Sequence, residues 1–500
     1  MTPNVRNPIR PALFLAILSA SVHVPREARA DEPTGLGAAL AMEQRLVDAI
    51  QRCEKSVVAV ARVRKVNQEE SATAPNPPRL SLPTPFMGES SPLDPDFVPN
   101  EFGAGVVIDR SGLVLTNYHV IGDVTTSDHF VWSRRRPFRA RVVAADPWYD
   151  LAVLRIDSDD LVPITFGDAK VLRKGHIVLA LGNPEAIAAD GEVSASWGIV
   201  SNLLRRAPRV PDRSNEPQGR ETLHHYGTLI QTDAKLNTGF SGGALINLRG
   251  EMVGLITSYT AGTGCDAAAG FAIPVDDHFR NVVDLLKEGG RPSFGFLGAA
   301  TEPLAVELRQ RGLHGVRVIS IIPGTPGASA DLRTGDTITH VNHIPIYDDD
   351  DLFRVVGAMP AGAEATLGVR RGAWNAPNTR VLETRVTVTK KYVDTLRPQI
   401  ATQPRHMWRG LYVDYATASP DFNRLVANLD AEGCVYVPGV QADSPAWQAG
   451  LRPGVFVSNV TTRRTRTPQE FHDAVRHAKG DVDLRVLTGA GPATLLTVSP

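Results

Sequence analysis

Between residues 102 and 273 the apolar positions come in short β-branched runs broken by Gly, Asp-Arg or Asn turns. Gly105-Val106-Val107-Ile108, Leu113-Val114-Leu115, Ala152-Val153-Leu154 and Ile177-Val178-Leu179-Ala180 are examples. This rhythm predicts antiparallel barrels or sandwiches rather than βαβ units. Upstream, residues 40–53 read as a short amphipathic helix running into a strand at Ser56-Val57-Val58-Ala59-Val60. Downstream the period changes. Phe279, Val282, Val283 and Leu286 recur at i, i+3, i+4 and i+7, after Asp276 and Asp277 and before Gly289-Gly290. A helix closes the β-rich region there, and a domain boundary follows it.

The remainder repeats itself. Pro326, Ala330, Leu332, Arg333 and Gly335 match Pro445, Ala449, Leu451, Arg452 and Gly454 in a single register. Each copy is followed by a helical pattern. In the second, Thr467 caps, Pro468 occupies the first turn, Glu470 completes a capping box, and Phe471, Ala474, Val475 and Ala478 share a face. Two related domains therefore follow the first.

The chain has 500 residues, 42% of them hydrophobic, and a formal net charge of −1. It can bury several cores, and its charge gives no bulk attraction to nucleic acid or anionic membrane. The basic run Arg134-Arg135-Arg136 with Arg139 and Arg141 reads as a solvated hairpin. At the N-terminus, Arg6 and Arg10 precede an apolar run over residues 12–22, and Ala28-Arg29-Ala30 follows. This is a secretory signal arrangement, too short to span a bilayer comfortably, so an exported protein without a stable membrane anchor is expected. Cys53, Cys265 and Cys434 are expected to be free, buried small hydrophobes rather than a disulfide framework. A stretch with eight prolines from Pro75 to Pro99 is long for a loop.

Gly239-Phe240-Ser241-Gly242-Gly243 fits both an α/β-hydrolase elbow and the serine turn of a chymotrypsin-like protease. An elbow needs a helix after the serine, with its acid and histidine downstream. Here Ala244-Leu245-Ile246-Asn247, a turn at Leu248-Arg249-Gly250, and Met252-Val253-Gly254-Leu255-Ile256 follow, giving strand, turn, strand. The esterase reading fails on that context. Upstream, TNYHV places His119 on a turn past an apolar strand, and DPWYDLAVL places Asp150 directly before another. Asp146 competes with Asp150 but lacks the strand behind it. The order His119, Asp150, Ser241 in a β-rich context is that of an acyl-transfer triad. The backbone N–H groups of Gly239 and Ser241 are placed to form its oxyanion hole, with Gly242 and Gly243 leaving room for substrate. No cofactor or metal is called for.

With these residues in view, TNYHV, DLAVL, GNP (Gly182 to Pro184), QTDAKLNTGFSGGALIN and GFAIP (Gly270 to Pro274) resemble the HtrA/DegP family of exported serine proteases. The resemblance implies a mainly β chain. A chymotrypsin-like double β-barrel would carry the His119, Asp150, Ser241 triad, followed by two PDZ domains of β-sandwich or partly open barrel form with helices. Expected limits are a signal peptide over 1–30, a protease domain over 31–288 with the Pro-rich loop at about 71–100, and PDZ domains over 291–392 and 405–499. The resemblance further implies an ATP-independent periplasmic endopeptidase for unfolded polypeptides, in trimers or higher oligomers. A proteolytically silent peptide-binding chaperone or scaffold stays open as the alternative.

Phe240 stands where the family has Asn, and Ala244 where it has Pro; Phe240 could alter how the turn switches. PDZ domains bind C-terminal peptides by strand addition, their loop amides receiving the carboxylate. Phe296-Leu297-Gly298-Ala299 resembles that loop. Trp408-Arg409-Gly410-Leu411 does so less well, because Arg409 takes an apolar position, and Val455 stands where the first copy has Asp336. The second PDZ domain is therefore expected to serve assembly more than peptide capture. Residues 203–227, rich in Arg and Pro, correspond to the family's sensor loop. Its Arg205, Arg206 and Arg209 are expected to pair with acidic groups at 348–351, as part of an order–disorder switch.

Overall fold

Val, Ile and Leu runs with side chains alternating about a strand can line a barrel interior on one face and a second apolar layer on the other. That is how they are used in the computed structural model. It describes residues 35–65, 101–183, 192–207, 222–237, 239–257, 270–372, 374, 379–393, 397–425, 429, 432–488 and 491–500. The signal segment, the Pro-rich stretch, residues 208–221, Thr238 and Cys265 lie outside them.

Strands β1 (Val57–Arg64), β2 (Glu101–Asp109), β3 (Leu113–Thr116), β4 (Ser127–Ser133), β5 (Arg136–Asp146) and β6 (Leu151–Arg155) run in the order β5-β4-β1-β2-β3-β6. Pairing of β6 with β5 closes this first ring. Strands β7 (Ile177–Gly182), β8 (Ser194–Arg205), β9 (Leu229–Thr232), β10 (Ala244–Asn247), β11 (Met252–Thr257) and β12 (Gly270–Pro274) close the second. Closure removes the open sheet edges that would otherwise invite aggregation. The basic run forms the exposed β4–β5 hairpin as expected, with Arg134 and Arg135 in the left-handed region at its tip.

Val60, Val107, Val131 and Leu154 fill the first barrel, and Val178, Ile230, Leu245 and Ile256 the second. Leu115, Leu151, Leu181 and Ala244 form a third layer between them, shared with Phe279 and Leu286. Among the described residues of this region the α-helices are α1 (Gly35–Cys53), α2 (Tyr118–Ile121) and α3 (Asp277–Lys287). Helix α1 already includes Gly35, ahead of the amphipathic pattern at 40–53. In α3 the four periodic apolar residues are all buried, and Asp276 caps the first turn by accepting from Phe279 N at 2.8 Å. Cys53 is a free thiol, and Cys53 and Cys434 are both buried. Burial pushes the Cys53 thiol up to about 11, which keeps it an unreactive thiol donating to Gly250 O.

The two repeats share one plan. In the first, Ala299–Pro303, Val316–Ile321, Thr337–Val341, Glu364–Arg371 and Arg380–Thr387 lie side by side. In the second, Leu411–Tyr415, Val435–Val440, Phe456–Val460, Val482–Leu487 and Thr494–Val498 do the same. Pro326 and Pro445 each open a one-turn helix, where a missing N–H costs nothing. The capping box at Thr467 is displaced by one residue. Thr467 Oγ1 accepts from Glu470 N at 3.1 Å, but the Glu470 carboxylate takes Arg466 N at 2.6 Å, not the cap's own N–H.

One element has no counterpart in the sequence reading. Ile400–Ala401, between the expected PDZ limits of 392 and 405, forms a short strand on β5 of the first barrel. It pairs at Ala145 and Ala144, beyond the point where β4 leaves that edge of β5.

Candidate active site

The site is built where the two barrels meet. Strand β3 ends at Thr116, and α2 begins two residues later, with extended Asn117 as its cap. His119 therefore stands on a helical turn rather than an open one. Asp150, at the start of β6, adopts φ 54°, a left-handed conformation that Asp tolerates better than most side chains. Its carbonyl accepts from Asn117 Nδ2 (3.1 Å) and from Tyr118 N (3.2 Å).

The Asp150 carboxylate is buried and faces His119. His119 Nδ1 lies 2.8 Å from Oδ2 and 3.1 Å from Oδ1, His119 N donates to Oδ1 at 3.1 Å, and Thr257 Oγ1 donates to Oδ2 at 3.4 Å. Burial alone would raise the Asp150 pKa, but the facing imidazole and its hydrogen bonds hold it below the usual carboxylate value. At His119 burial disfavours the charged ring, yet the Asp150 charge and hydrogen bond outweigh it and raise the pKa above that of an ordinary histidine. The His119 side chain remains 42% exposed, so one edge of the ring meets the cleft. With Nδ1 bound to a carboxylate, Nε2 is the nitrogen left to accept a proton.

Ser241 is 7% exposed, in the turn that leads into β10. Three bonds shape that turn: Phe240 N to Asn237 O (3.2 Å), Gly243 N to Phe240 O (2.9 Å) and Gly242 N to Ile256 O (2.8 Å). The Ser241 carbonyl accepts from Ala104 N at 2.7 Å, which ties the turn to the first barrel. Gly239 has φ 97°, and a Cβ there would lie 2.2 Å from Asn183 O, so only glycine fits. The expected reason for Gly242 and Gly243 needs correcting. Added Cβ atoms would meet Ala104 O at 2.1 Å and Leu181 O at 2.2 Å, so these glycines admit neighbouring backbone rather than substrate. Phe240 is buried in the second barrel, its ring against Gly182.

Asp146, the rival carboxylate, serves a different purpose. Fully buried, it accepts from Tyr149 N at 2.7 Å and Gln399 Nε2 at 2.5 Å, and burial pushes its pKa up to about 6. It braces the turn that presents Asp150. Asn117 and Thr257 were missed; Asn117 stands inside the motif that singled out His119, whereas nothing local marks Thr257.

In the first repeat, buried Leu297 and left-handed Gly298 (φ 78°) precede the strand at Ala299. They border a cavity of about 300 Å³ lined also by Leu352, Phe353, Val356 and, from the barrel side, Tyr226. Tyr226 stacks on Phe353 at 3.8 Å between ring centroids, and Lys391 Nζ lies 4.5 Å from the Trp148 ring beside them. Arg206 pairs with Asp350 at 2.5 Å and Asp348 at 3.4 Å, as the sequence suggested. Arg209 lies outside the described residues. In the second repeat Gly410 keeps the left-handed turn (φ 82°) and Leu411 is buried. Leu411 N, however, already donates to Trp408 O at 2.8 Å, and the Arg409 guanidinium reaches Val498 O (2.6 Å) and Gly480 O (2.8 Å).

Residues 103–255 match the trypsin-like peptidase domain model, and residues 295–388 match the PDZ domain model. The chain is 30% identical over 464 residues to periplasmic serine endoprotease DegP of Salmonella typhimurium, covering 87% of this chain and 89% of that one. It is 29% identical over 477 residues to a probable DegP-like periplasmic serine endoprotease of Pseudomonas putida, covering 90% and 91%. Among solved structures, the HtrA-type protease AlgW with a decapeptide has 26% identity and a TM-score of 0.47, covering 69% of this chain and 98% of that one. The two matched domains lie over the barrels and the first repeat, in that order, and the chain belongs to the DegP family of serine endoproteases.

Proposed function

We propose that Ser241 is the nucleophile of an endopeptidase in which His119 is the general base and Asp150 orients it. The observation that supports this best is the buried Asp150 carboxylate, 2.8 Å from His119 Nδ1, in a chain whose serine turn is tied to the same barrel. His119 Nε2 takes the proton as Ser241 Oγ adds to the scissile carbonyl. The resulting oxyanion is received by the N–H groups of Gly239 and Ser241. His119 then protonates the leaving amine, and water repeats the sequence to release the acyl group. The raised His119 pKa favours the imidazolium that forms midway.

The substrates proposed are unfolded exported polypeptides, in the periplasm, as the relatives' names suggest, with assembly from trimers. The groove beside Leu297, Gly298 and Ala299 receives free C-terminal peptides and stimulates cleavage, while the loop at Gly410 and Leu411 does not. The domain limits proposed are 31–288, 291–392 and 405–499. Replacing Ser241 by Ala should lower turnover of a reduced, carboxymethylated protein by a factor on the order of 10⁴ to 10⁶. Equal turnover by the two proteins would remove Ser241 from the mechanism. Binding without cleavage by the unmodified chain at every pH would replace the protease reading by a chaperone.

A further inference from the structure

His224 belongs to the turn Leu223–Tyr226, which runs between Tyr226 at the PDZ groove and the residues just before Asp150. Its side chain is fully buried. Nε2 lies 2.9 Å from Tyr149 O, and Nδ1 lies 2.7 Å from Thr228 Oγ1. A carbonyl only accepts, so Nε2 carries the hydrogen and Nδ1 accepts from the Thr228 hydroxyl. Burial pushes the His224 pKa down to about 4, and Asp150, His225 and His278 are the titratable groups that interact with it. The ring is thus a neutral donor with one defined tautomer.

The carbonyl it grips belongs to the peptide joining Tyr149 to Asp150. The next peptide, carrying Asp150 O, is gripped by Asn117 Nδ2 and Tyr118 N. The relative orientation of these two peptide planes is set by φ and ψ of Asp150, and its φ stands at the costly value of 54°. Clamping both planes fixes where the carboxylate points.

We propose that His224 is a positioning residue for the protease reaction: through the Tyr149 carbonyl it holds Asp150 in the left-handed conformation that aims its carboxylate at His119. The proposal rests on the triad reading above. A neutral donor suits the task, because a cation at this depth would draw the Asp150 charge away from His119.

The test uses the full chain with His224→Leu, His224→Gln and Thr228→Val, and measures kcat, KM and the acid limb of kcat/KM on a chromogenic peptide. Gln keeps an N–H donor for the carbonyl; Leu keeps only bulk. Loss of one buried hydrogen bond in His224→Leu should lower kcat about tenfold. KM should stay unchanged, and the acid limb should move down towards the ordinary histidine value. His224→Gln should restore both kcat and the limb, and Thr228→Val should fall between. A folded His224→Leu protein with wild-type kcat overturns the proposal. So does a His224→Gln protein as impaired as His224→Leu with an unmoved acid limb, since His224 would then merely fill space. If His224→Leu does not fold, the other two decide. Thr228→Val lowering kcat and shifting the limb while His224→Gln does neither supports the clamp, and no change in Thr228→Val refutes it. An active Ser241→Ala protein removes the triad and this role together. An inactive one beside a fully active His224→Leu removes only the clamp.

Discussion

The two repeats have the same strand order and the same proline-led turn, yet they differ at one buried charge and in the loop that would meet a ligand. In the first, Asp336 is buried and carries a fork of bonds: Arg371 Nε and Nη2 at 2.8 and 2.9 Å, and Arg333 N at 2.9 Å. In the second, Val455 packs against the core instead, and Thr488 follows Leu487 where the first repeat has Arg371 following Arg370. Acid and base were exchanged together, which avoids an orphaned charge. The loops differ in the same sense. Leu297 is buried in the first, while Arg409 turns away to bind carbonyls and Leu411 N is occupied. Among the described residues, it is the first repeat that presses an aromatic side chain, Phe353, onto the Tyr226 ring of the barrels. The proposed division into receptor and spacer therefore rests on a few loop and core positions of one fold.

Exchanging those positions tests the contrast. Leu297→Arg, which writes the second loop into the first, should weaken binding of a peptide with a free C-terminus about a hundredfold, because it forces a cation into an apolar slot. The reciprocal Arg409→Leu should not create binding, since the Trp408–Leu411 bonds persist. Fluorescence anisotropy with free and amidated peptides reads both, and tight binding by Arg409→Leu would break the contrast. Asp336→Val should weaken the first repeat by about 2 kcal/mol, as Arg371 loses its charged acceptor but keeps Asp331 and some solvent. Hydrogen exchange of the Val316–Ile321 amides measures this locally, and unchanged protection would mean the fork contributes nothing.

Arg206→Ala removes an exposed cation from Asp348 and a buried Asp350 and should cost no more than about 1 kcal/mol. It should lower peptide stimulation slightly without altering unstimulated labelling of Ser241 by a phosphonate. Equal loss of both rates would mean that the arginine supports the barrel. The smallest effect is expected from ending the chain at residue 404. Stimulation by free C-terminal peptides should then be unchanged, and its disappearance would transfer the receptor role to the second repeat.

Period and order were legible wherever a segment was long enough to show them. The barrel strands, α3 and the repeat came from spacing, and His119, Asp150 and Ser241 came from their order along the chain. What escaped depended on contacts that no spacing encodes. Gly242 and Gly243 looked like space for a substrate, until Ala104 O and Leu181 O took the room. His224 stands on an irregular segment, one of 13 histidines, and only its distance to Tyr149 O sets it apart. Thr467 and Glu470 matched a box whose second bond went to a neighbouring N–H. The Ile400–Ala401 strand is too short for any period to reveal.

That strand sets a timetable. Ile400 pairs with Ala145, and Gln399 beside it donates to Asp146, which braces the turn ahead of Asp150. Ile400 and Ala145 lie 255 positions apart (400 − 145), so this pairing closes a far longer loop than the β4–β5 hairpin and is expected to form after it. Until then that stretch of the β5 edge is unmatched and the Asp146 carboxylate is without the Gln399 amide. The first repeat lies inside the loop that this contact closes, so its groove can form before the turn ahead of Asp150 has its brace.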